Sequence, residues 1–225
     1  MSEFNLIEHF RNFHPVERTD VSLPSGDDCA IMQVPPDHEL VVTTDTMVAG
    51  RHFYTDIAPE DLGYKAISTS LSDLAAMGAE PTWLLISCTF PEINVEWMEG
   101  FKQGLNEIPV RENIQIVGGD VTQGPLSITT TAHGIIPQGT ALTRSNAKIG
   151  DDLYVSGFIG DAGIAINNFG EPYSALTHED ITYLENRLNR PEARISLGSS
   201  LRSLAHSAID ISDGLMGDLK HIMHA

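Results

Sequence analysis

The heptapeptide Leu40–Thr46, LVVTTDT, places the first constraint on how this chain folds. Leu40, Val41 and Val42 favour extended backbone, and Thr43 and Thr44 continue the preference. Asp45 falls at the end of the run, where a side chain can project into a cleft rather than a core. Two hydroxyls and a carboxylate in succession are hard oxygen donors, which suit Mg²⁺ rather than zinc. Alone, the pattern equally describes an edge strand entering an Asx-type turn. Recurrence gives it weight. GDD at Gly26–Asp28, LSD at Leu71–Asp73, GGD at Gly118–Asp120 and DISDG at Asp210–Gly214 again set aspartate at breaks or helix ends.

Around this strand the hydrophobic pattern alternates between strand and helix. Phe4, Leu6, Ile7 and Phe10 predict a short amphipathic helix over residues 3–12. A strand over Cys29–Val34, ended by Pro35–Pro36, precedes the central strand of residues 40–45. Pro59 among acids opens a helix running from about Leu62 to Met77. Leu62, Ala66, Thr69, Asp73 and Met77 share one side of it, and Gly78 caps it. Strands over Trp83–Phe90, Gln115–Val117 and Ser127–Ile136 bracket a helix over Val95–Ile108, with Gly118–Gly119 stopping the second strand. Strands separated by helices predict an α+β chain with α/β layering and a mixed N-terminal sheet flanked by helices.

A shift in composition over Pro137–Gly150 predicts a junction, giving domains 1–137 and 138–225. Beyond it a strand over Asp152–Ser156 and helices over Gly160–Phe169 and Asp180–Leu188 are expected. Leu215, Leu219, Ile222 and Met223 then form an apolar helical stripe with no closing signal before Ala225. That ending reads as a chain cut inside its second domain.

Charge narrows the partners. Thirteen Lys and Arg face 31 Asp and Glu, for a net charge of −18 over 225 residues. Such a field repels a polyanion, which argues against nucleic-acid binding by phosphate neutralisation. A nucleotide meets the same repulsion unless divalent cations stand between it and the carboxylates. Cys29 and Cys88 have no metal-site spacing, which fits a reduced, cytoplasmic protein. The first residues lack the basic start and apolar block of a signal peptide, and no apolar run approaches membrane-spanning length. The GxxxxGK[ST] phosphate loop, the kinase HRD and DFG signatures, HExxH and GxSxG are all absent. The nine histidines show no paired ligand spacing.

What remains is a set of seven aspartates: Asp27, Asp28, Asp45, Asp73, Asp120, Asp210 and Asp213. Each has an ordinary role open to it as a turn residue, a solvated helix residue or a helix cap. Together they raise a physical question, since two carboxylates about 4 Å apart repel by roughly 4 kcal/mol at an effective dielectric near 20. Convergence therefore requires protons or cations. Arg144, in the turn-rich LTRSNAKIGD, suits a phosphate, and His52 stands just past the central strand. Gly157, Gly160 and Gly163 open a helix in a weak GxxGxxG spacing that tight packing also explains.

The ordered series GDDCA, TTDT-VAG-x-HF, LSDLAAMGA-x-P, GGDVTQGP, ALTRS-x-AK-x-GD and AIDISDGL resembles the thiamine-monophosphate kinase family over nearly the whole chain. That family shares a superfamily with aminoimidazole ribonucleotide synthetase and selenophosphate synthetase. The resemblance implies a kinase moving the γ-phosphoryl of ATP to thiamine monophosphate, giving thiamine diphosphate. It implies several Mg²⁺ ions on Asp28, Thr43, Thr44, Asp45, Asp73, Asp120, Asp210 and Asp213. It further implies ATP contacts at Gly119, Asp120, Arg144 and Ser212, and a thiamine-phosphate contact at His52. No residue is implied as a catalytic base. A homodimer whose N-terminal sheets join into a barrel is implied, with an incomplete α+β domain following. Two departures stand out. Asn146 and Ile149 replace the usual Gly and Pro of the RSGAKPGD turn, and the family's glycine-rich SGGEDYEL-like motif and thiamine-facing aromatic do not occur. A chain with the donor half alone is expected to bind Mg·ATP and turn over poorly. The alternatives are a non-catalytic Mg·ATP-binding module or another synthetase of the superfamily. Residues 1–26 hold no Cys and no Lys, which argues against selenophosphate synthetase.

Overall fold

A four-stranded mixed sheet with two long helices on one face organises the N-terminal half of the computed structural model, which describes residues 15–92, 94–170 and 172–225. The helix expected over residues 3–12 lies outside the described residues. Two short strands come first, β1 (Val21–Leu23) and β2 (Ile31–Met32), paired antiparallel. The strand expected over Cys29–Val34 thus shrinks to two residues, because its partner among the described residues is three residues long. The sheet proper is β3 (His38–Val48), β4 (Glu80–Phe90), β5 (Gln115–Gln123) and β6 (Ser127–Pro137), in the order β3-β6-β4-β5. β3 and β6 pair antiparallel without a shift from His38↔Pro137 to Val48↔Ser127, and β4 and β5 pair in parallel.

The crossovers are α1 (Pro59–Ala76) and α2 (Val95–Glu112). Pro59 stands in the first turn of α1, where its missing N–H costs no hydrogen bond, followed by Glu60 and Asp61. The helix ends at Gly78, whose φ of +74° suits glycine, with Gly78 N–H and Ala79 N–H closing on the Ala75 and Leu74 carbonyls. Leu62, Ile67, Leu71 and Leu74 are fully buried against the sheet and α2. Fully burying such side chains contributes roughly 1.5–3 kcal/mol each. The helices meet at glycines. A Cβ on Gly104 would stand 1.9 Å from the Glu60 carbonyl oxygen, and one on Gly63 would stand 2.2 Å from that of Phe101.

β5 does not stop at Gly118–Gly119 as its glycines suggest. It continues to Gln123 because it is paired with β4 as far as Phe90↔Gln123, and an irregularity beside Leu84 and Leu85 absorbs one extra residue. Gly119 is needed there for clearance, since a Cβ would come within 1.8 Å of the Ile86 carbonyl oxygen. Among the described residues, no helix packs on the far face of the sheet. Leu40 and Val42 are 49% and 52% exposed on it, beside the hydroxyl pairs Thr44–Thr131, Thr46–Thr129 and Thr89–Thr122. Described residues cover its Trp83 end. There Trp83 Nε1 donates to Asp20 at 3.1 Å, and Arg18 N–H donates to Gln115 at 2.8 Å.

Past Pro137 the described residues form helices and turns: α3 (Asp161–Gly170), α4 (His178–Asn189), α5 (Ile195–Leu201) and α6 (Leu215–His224). Asp152–Ser156, expected as a strand, finds no pairing partner among the described residues and is extended without a ladder. α5, short and Ser/Gly-rich, escapes periodicity altogether. Arg190 ties this half to the first by bonding Asp61 at 2.9 Å and Glu107, with its guanidinium 4.2 Å from the centre of the Tyr64 ring. Among the described residues, no helix is long and apolar enough to cross a membrane. Gly104→Ala is expected to force the α1–α2 crossing apart, costing about 1–3 kcal/mol. Thermal denaturation should show a melting temperature lower by roughly 2–4 °C for each of those kcal/mol, and an unchanged value would mean the crossing relaxes freely.

Candidate functional site

Strand period and helix period together decide which acidic side chains meet. On β3, Val41, Thr43, Asp45 and Met47 face the helices while Leu40, Val42, Thr44 and Thr46 face away. The last turns of α1 bring Ser70, Ser72 and Asp73 to the same region. Thr43 Oγ1 donates to Asp73 Oδ2 at 2.5 Å. Asp45, half-buried, has its carboxyl held above the usual range by burial and by the Asp73 charge, while the Ser70 hydroxyl works in the opposite direction. Asp210 arrives from the loop before α6. Burial and then the Asp73 charge raise its carboxyl too, partly offset by the Ser72 hydroxyl and a backbone hydrogen bond. Asp73 is therefore the hub, with Asp45 on one side and Asp210 on the other.

Above these carboxylates lies a pocket of about 460 Å³. Thr43, Asp73, Asp210, Thr143 and Arg144 supply its polar lining, and Leu74, Met77, Leu142 and Ile209 its apolar wall. Arg144 opens a short 3-10 turn, Arg144–Asn146. That turn is pinned by buried Leu142, whose N–H donates to the Met77 carbonyl at 3.0 Å, and by Ser207 Oγ donating to the Arg144 carbonyl at 3.2 Å. Two carboxylates and an arginine lining one pocket suit a cation-bridged anion.

Other candidates lie apart from this cluster. Across the sheet the registers align Asp45 with Thr130, Ile86 and Gly119, and the next row holds Thr46, Thr129, Ser87 and Asp120. Asp120 is exposed on the open face with Thr44, while Asp45 faces the helices. β3 and β5 are also opposite edges, roughly 14 Å apart across three strand spacings. One chain does not bring Asp45 and Asp120 together. Asp27 and Asp28 occupy an exposed turn between β1 and β2, with Asp28 N–H on the Asp27 carboxylate at 2.9 Å. His52 is exposed after β3, and its Nδ1 accepts from Val48 N–H at 2.9 Å. That bond leaves the proton of the neutral ring on Nε2, pointing a donor outward. Ser212 and Asp213 are exposed in the turn entering α6. Ser70 and Ser72 of STSLSD carry no motif of their own, and on the helix they turn to different carboxylates, Ser70 to Asp45 and Ser72 to Asp210.

Among the described residues, no three His, Cys, Asp or Glu side chains gather as a self-sufficient metal cage. That suits Mg²⁺, which is commonly held by one or two carboxylates with phosphate and water oxygens completing its shell. The donors here are hard oxygens, Thr43, Asp45, Asp73 and Asp210, and their mutual repulsion is the form of demand a divalent cation meets.

Comparison with known proteins places the chain among relatives. Residues 26–136 match the family model of the AIR synthase related protein N-terminal domain. The thiamine-monophosphate kinase of Escherichia coli K12 is 46% identical over 223 residues, covering 99% of this chain and 69% of that protein. The Haemophilus influenzae enzyme of the same name is 44% identical, covering 99% and 68%. The crystal structure of thiamine-monophosphate kinase from Stenotrophomonas maltophilia superposes with a TM-score of 0.88 at 42% identity, covering 99% of this chain and 71% of that one. AaThiL complexed with AMPPCP and TMP superposes at 0.77 with 29% identity, covering 99% and 69%. The hydrogenase maturation protein HypE of E. coli, at 23% identity and a TM-score of 0.67, shares the fold. On identity sustained along nearly its full length, this chain belongs to the thiamine-monophosphate kinase family.

Proposed function

We infer that this chain is an ATP-dependent kinase that phosphorylates thiamine monophosphate to thiamine diphosphate. The observation that carries the reading is the pocket lined by Thr43, Asp73, Asp210 and Arg144, with the Asp45 carboxyl feeling the Asp73 charge, in a chain whose relatives are named for that reaction. An oxygen of the acceptor phosphate attacks the γ-phosphorus, the bond from that phosphorus to the β–γ bridging oxygen breaks, and ADP leaves with the electron pair. The attacking oxygen is already anionic at neutral pH, so no side chain has to remove a proton. What the protein supplies is alignment and charge.

Asp45 and Asp73, with Thr43 and Asp210, would hold Mg²⁺ at the pocket, and Asp28, Thr44, Asp120 and Asp213 would complete the set. When bound, Mg²⁺ neutralises the phosphate oxygens. Arg144, Gly119, Asp120 and Ser212 would contact ATP, and His52 would donate from Nε2 to the acceptor phosphate. Residues 1–137 would form the ATP, metal and dimerisation domain and residues 138–225 part of a second α+β domain. The exposed apolar residues Leu40 and Val42 on the open face support a homodimer. If two open faces close into a barrel about an axis along it, the β5 edge of each copy lies beside the β3 edge of the other.

Incubation with ATP, Mg²⁺ and thiamine monophosphate is expected to yield ADP and thiamine diphosphate in equal amounts. ADP without thiamine diphosphate would overturn the acceptor assignment. Asp45→Asn should lower turnover by about 10–100-fold. Its effect on metal-free stability has the opposite sign. A carboxyl whose folded pKa is raised stabilises the fold while protonated, and that contribution is lost as pH rises through the folded pKa. Melting without metal should therefore show Asp45→Asn at least as stable as the parent at pH 7.5, with the difference closing toward pH 4. A variant less stable at pH 7.5 would contradict it.

Assembly has its own measurement. Leu40 and Val42 are exposed on the open face, and Val42→Arg is expected to convert a dimer to monomer in sedimentation velocity. A parent already at 24.5 kDa at micromolar concentration would count against the barrel.

A further inference from the structure

The loop Asp210–Gly214 carries three of the residues assigned to the site, yet Ser212 and Asp213 are exposed and belong to no helix or strand. What holds it comes from the helix that follows. Asp218, on the first turn and a half of α6, is 5% exposed in a chain whose acids lie mostly at the surface. Its Oδ2 accepts from the backbone N–H of Ser212 at 2.9 Å and of Asp213 at 3.2 Å. Both donors precede the helix, so the carboxylate reaches back over Gly214, where φ is +106° and the chain reverses. Among the described residues Asp218 joins no ion pair, so these N–H groups are what compensates its burial. A carboxylate kept there next to the Asp210 charge adds repulsion to an already crowded site. That is an unfavourable choice for a helix start, where an exposed Ser or Asn cap suffices.

We propose that Asp218 is a positioning residue, whose carboxylate clamps the Ser212 and Asp213 amides and so aims the Ser212 hydroxyl and the Asp210 and Asp213 carboxylates at the pocket. It touches neither substrate nor metal. The proposal rests on the functional reading above, because it assumes that this turn meets the Mg²⁺-bound nucleotide. The required group is an oxygen acceptor at that position rather than a negative charge.

The test pairs calorimetric binding of a non-hydrolysable ATP analogue with Mg²⁺ and backbone amide exchange by NMR, in the parent, Asp218→Asn and Asp218→Ala. The asparagine carbonyl oxygen can take both N–H bonds, so its affinity should stay within about threefold of the parent. Asp218→Ala should lose about 10–100-fold. In that variant exchange at Ser212 and Asp213 should accelerate, while the amides of β3 and β4 keep their protection. Alanine binding like the parent, or asparagine falling as far as alanine, would overturn the proposal, the second by showing that charge matters. If Asp218→Ala does not fold, Asp218→Glu takes its place, since its longer arm displaces the oxygen and should weaken binding where asparagine does not. A parent that binds no Mg²⁺-nucleotide would overturn the functional reading alone. The exchange measurement would then still decide whether Asp218 holds the turn.

Discussion

The charge of Asp73 on the last turn of α1 raises the carboxyls of both Asp45 and Asp210, and the structure depends on α1 being anchored well enough to hold it there. Asp73 stands on that helix, with Asp45 and Asp210 coupled to it from a strand and a loop. Against this repulsion, α1 buries Leu62, Ile67, Leu71 and Leu74 completely, at roughly 1.5–3 kcal/mol each. Hydroxyls supply the rest. Thr43 donates to Asp73, Ser70 lies against Asp45, and Ser72 against Asp210, so each carboxylate has a neutral donor that favours its ionised form. The outcome is a set of half-buried oxygens held near one another before any cation arrives.

The fold was readable where hydrophobic period and length agree. β3, α1, β4, α2 and β6 follow from runs of apolar residues long enough to commit to one period, and their ends shift by only a few residues. Pairing decided the remainder. β5 runs through two glycines because a neighbouring strand supplies the ladder, and Gly119 is where that neighbour comes closest. Asp152–Ser156 has strand-forming residues but no partner among the described residues, so propensity alone gives it no ladder. α5 is held by contact with α1, where Gly198 meets the Ala75 carbonyl, and nothing in ISLGSSL announces a helix.

The site was readable in kind more than in arrangement. Aspartate recurring at element breaks pointed to hard-oxygen chemistry, and period 2 along LVVTTDT already separates Thr43 and Asp45 from Thr44. What sequence spacing could not supply was the strand order. β3 and β5 become opposite edges only because β6 and β4 insert between them, which puts Asp120 on the far side of the sheet from Asp45. Likewise, Asp218 reads as an ordinary residue of an amphipathic helix. Its role is visible only once the preceding turn folds back and sets two amides on its carboxylate.

The division of acidic residues between the two faces of the sheet carries a consequence for how an anionic nucleotide is received. With a net charge of −18 the chain's mean field opposes a triphosphate at every approach, and Arg144 alone does not reverse it. Salt at physiological strength screens exposed charges beyond about 8 Å, so Asp27, Asp28, Asp120 and Asp213 weigh less at a distance than their number suggests. Asp45 and Asp210 differ, because burial removes part of that screening and raises the energy of their ionised forms. Were a divalent cation to bind, the half-buried carboxylates are therefore where it would relieve most repulsion. Carboxylates on exposed turns and on the open face, already screened by solvent, would gain less from the same ion.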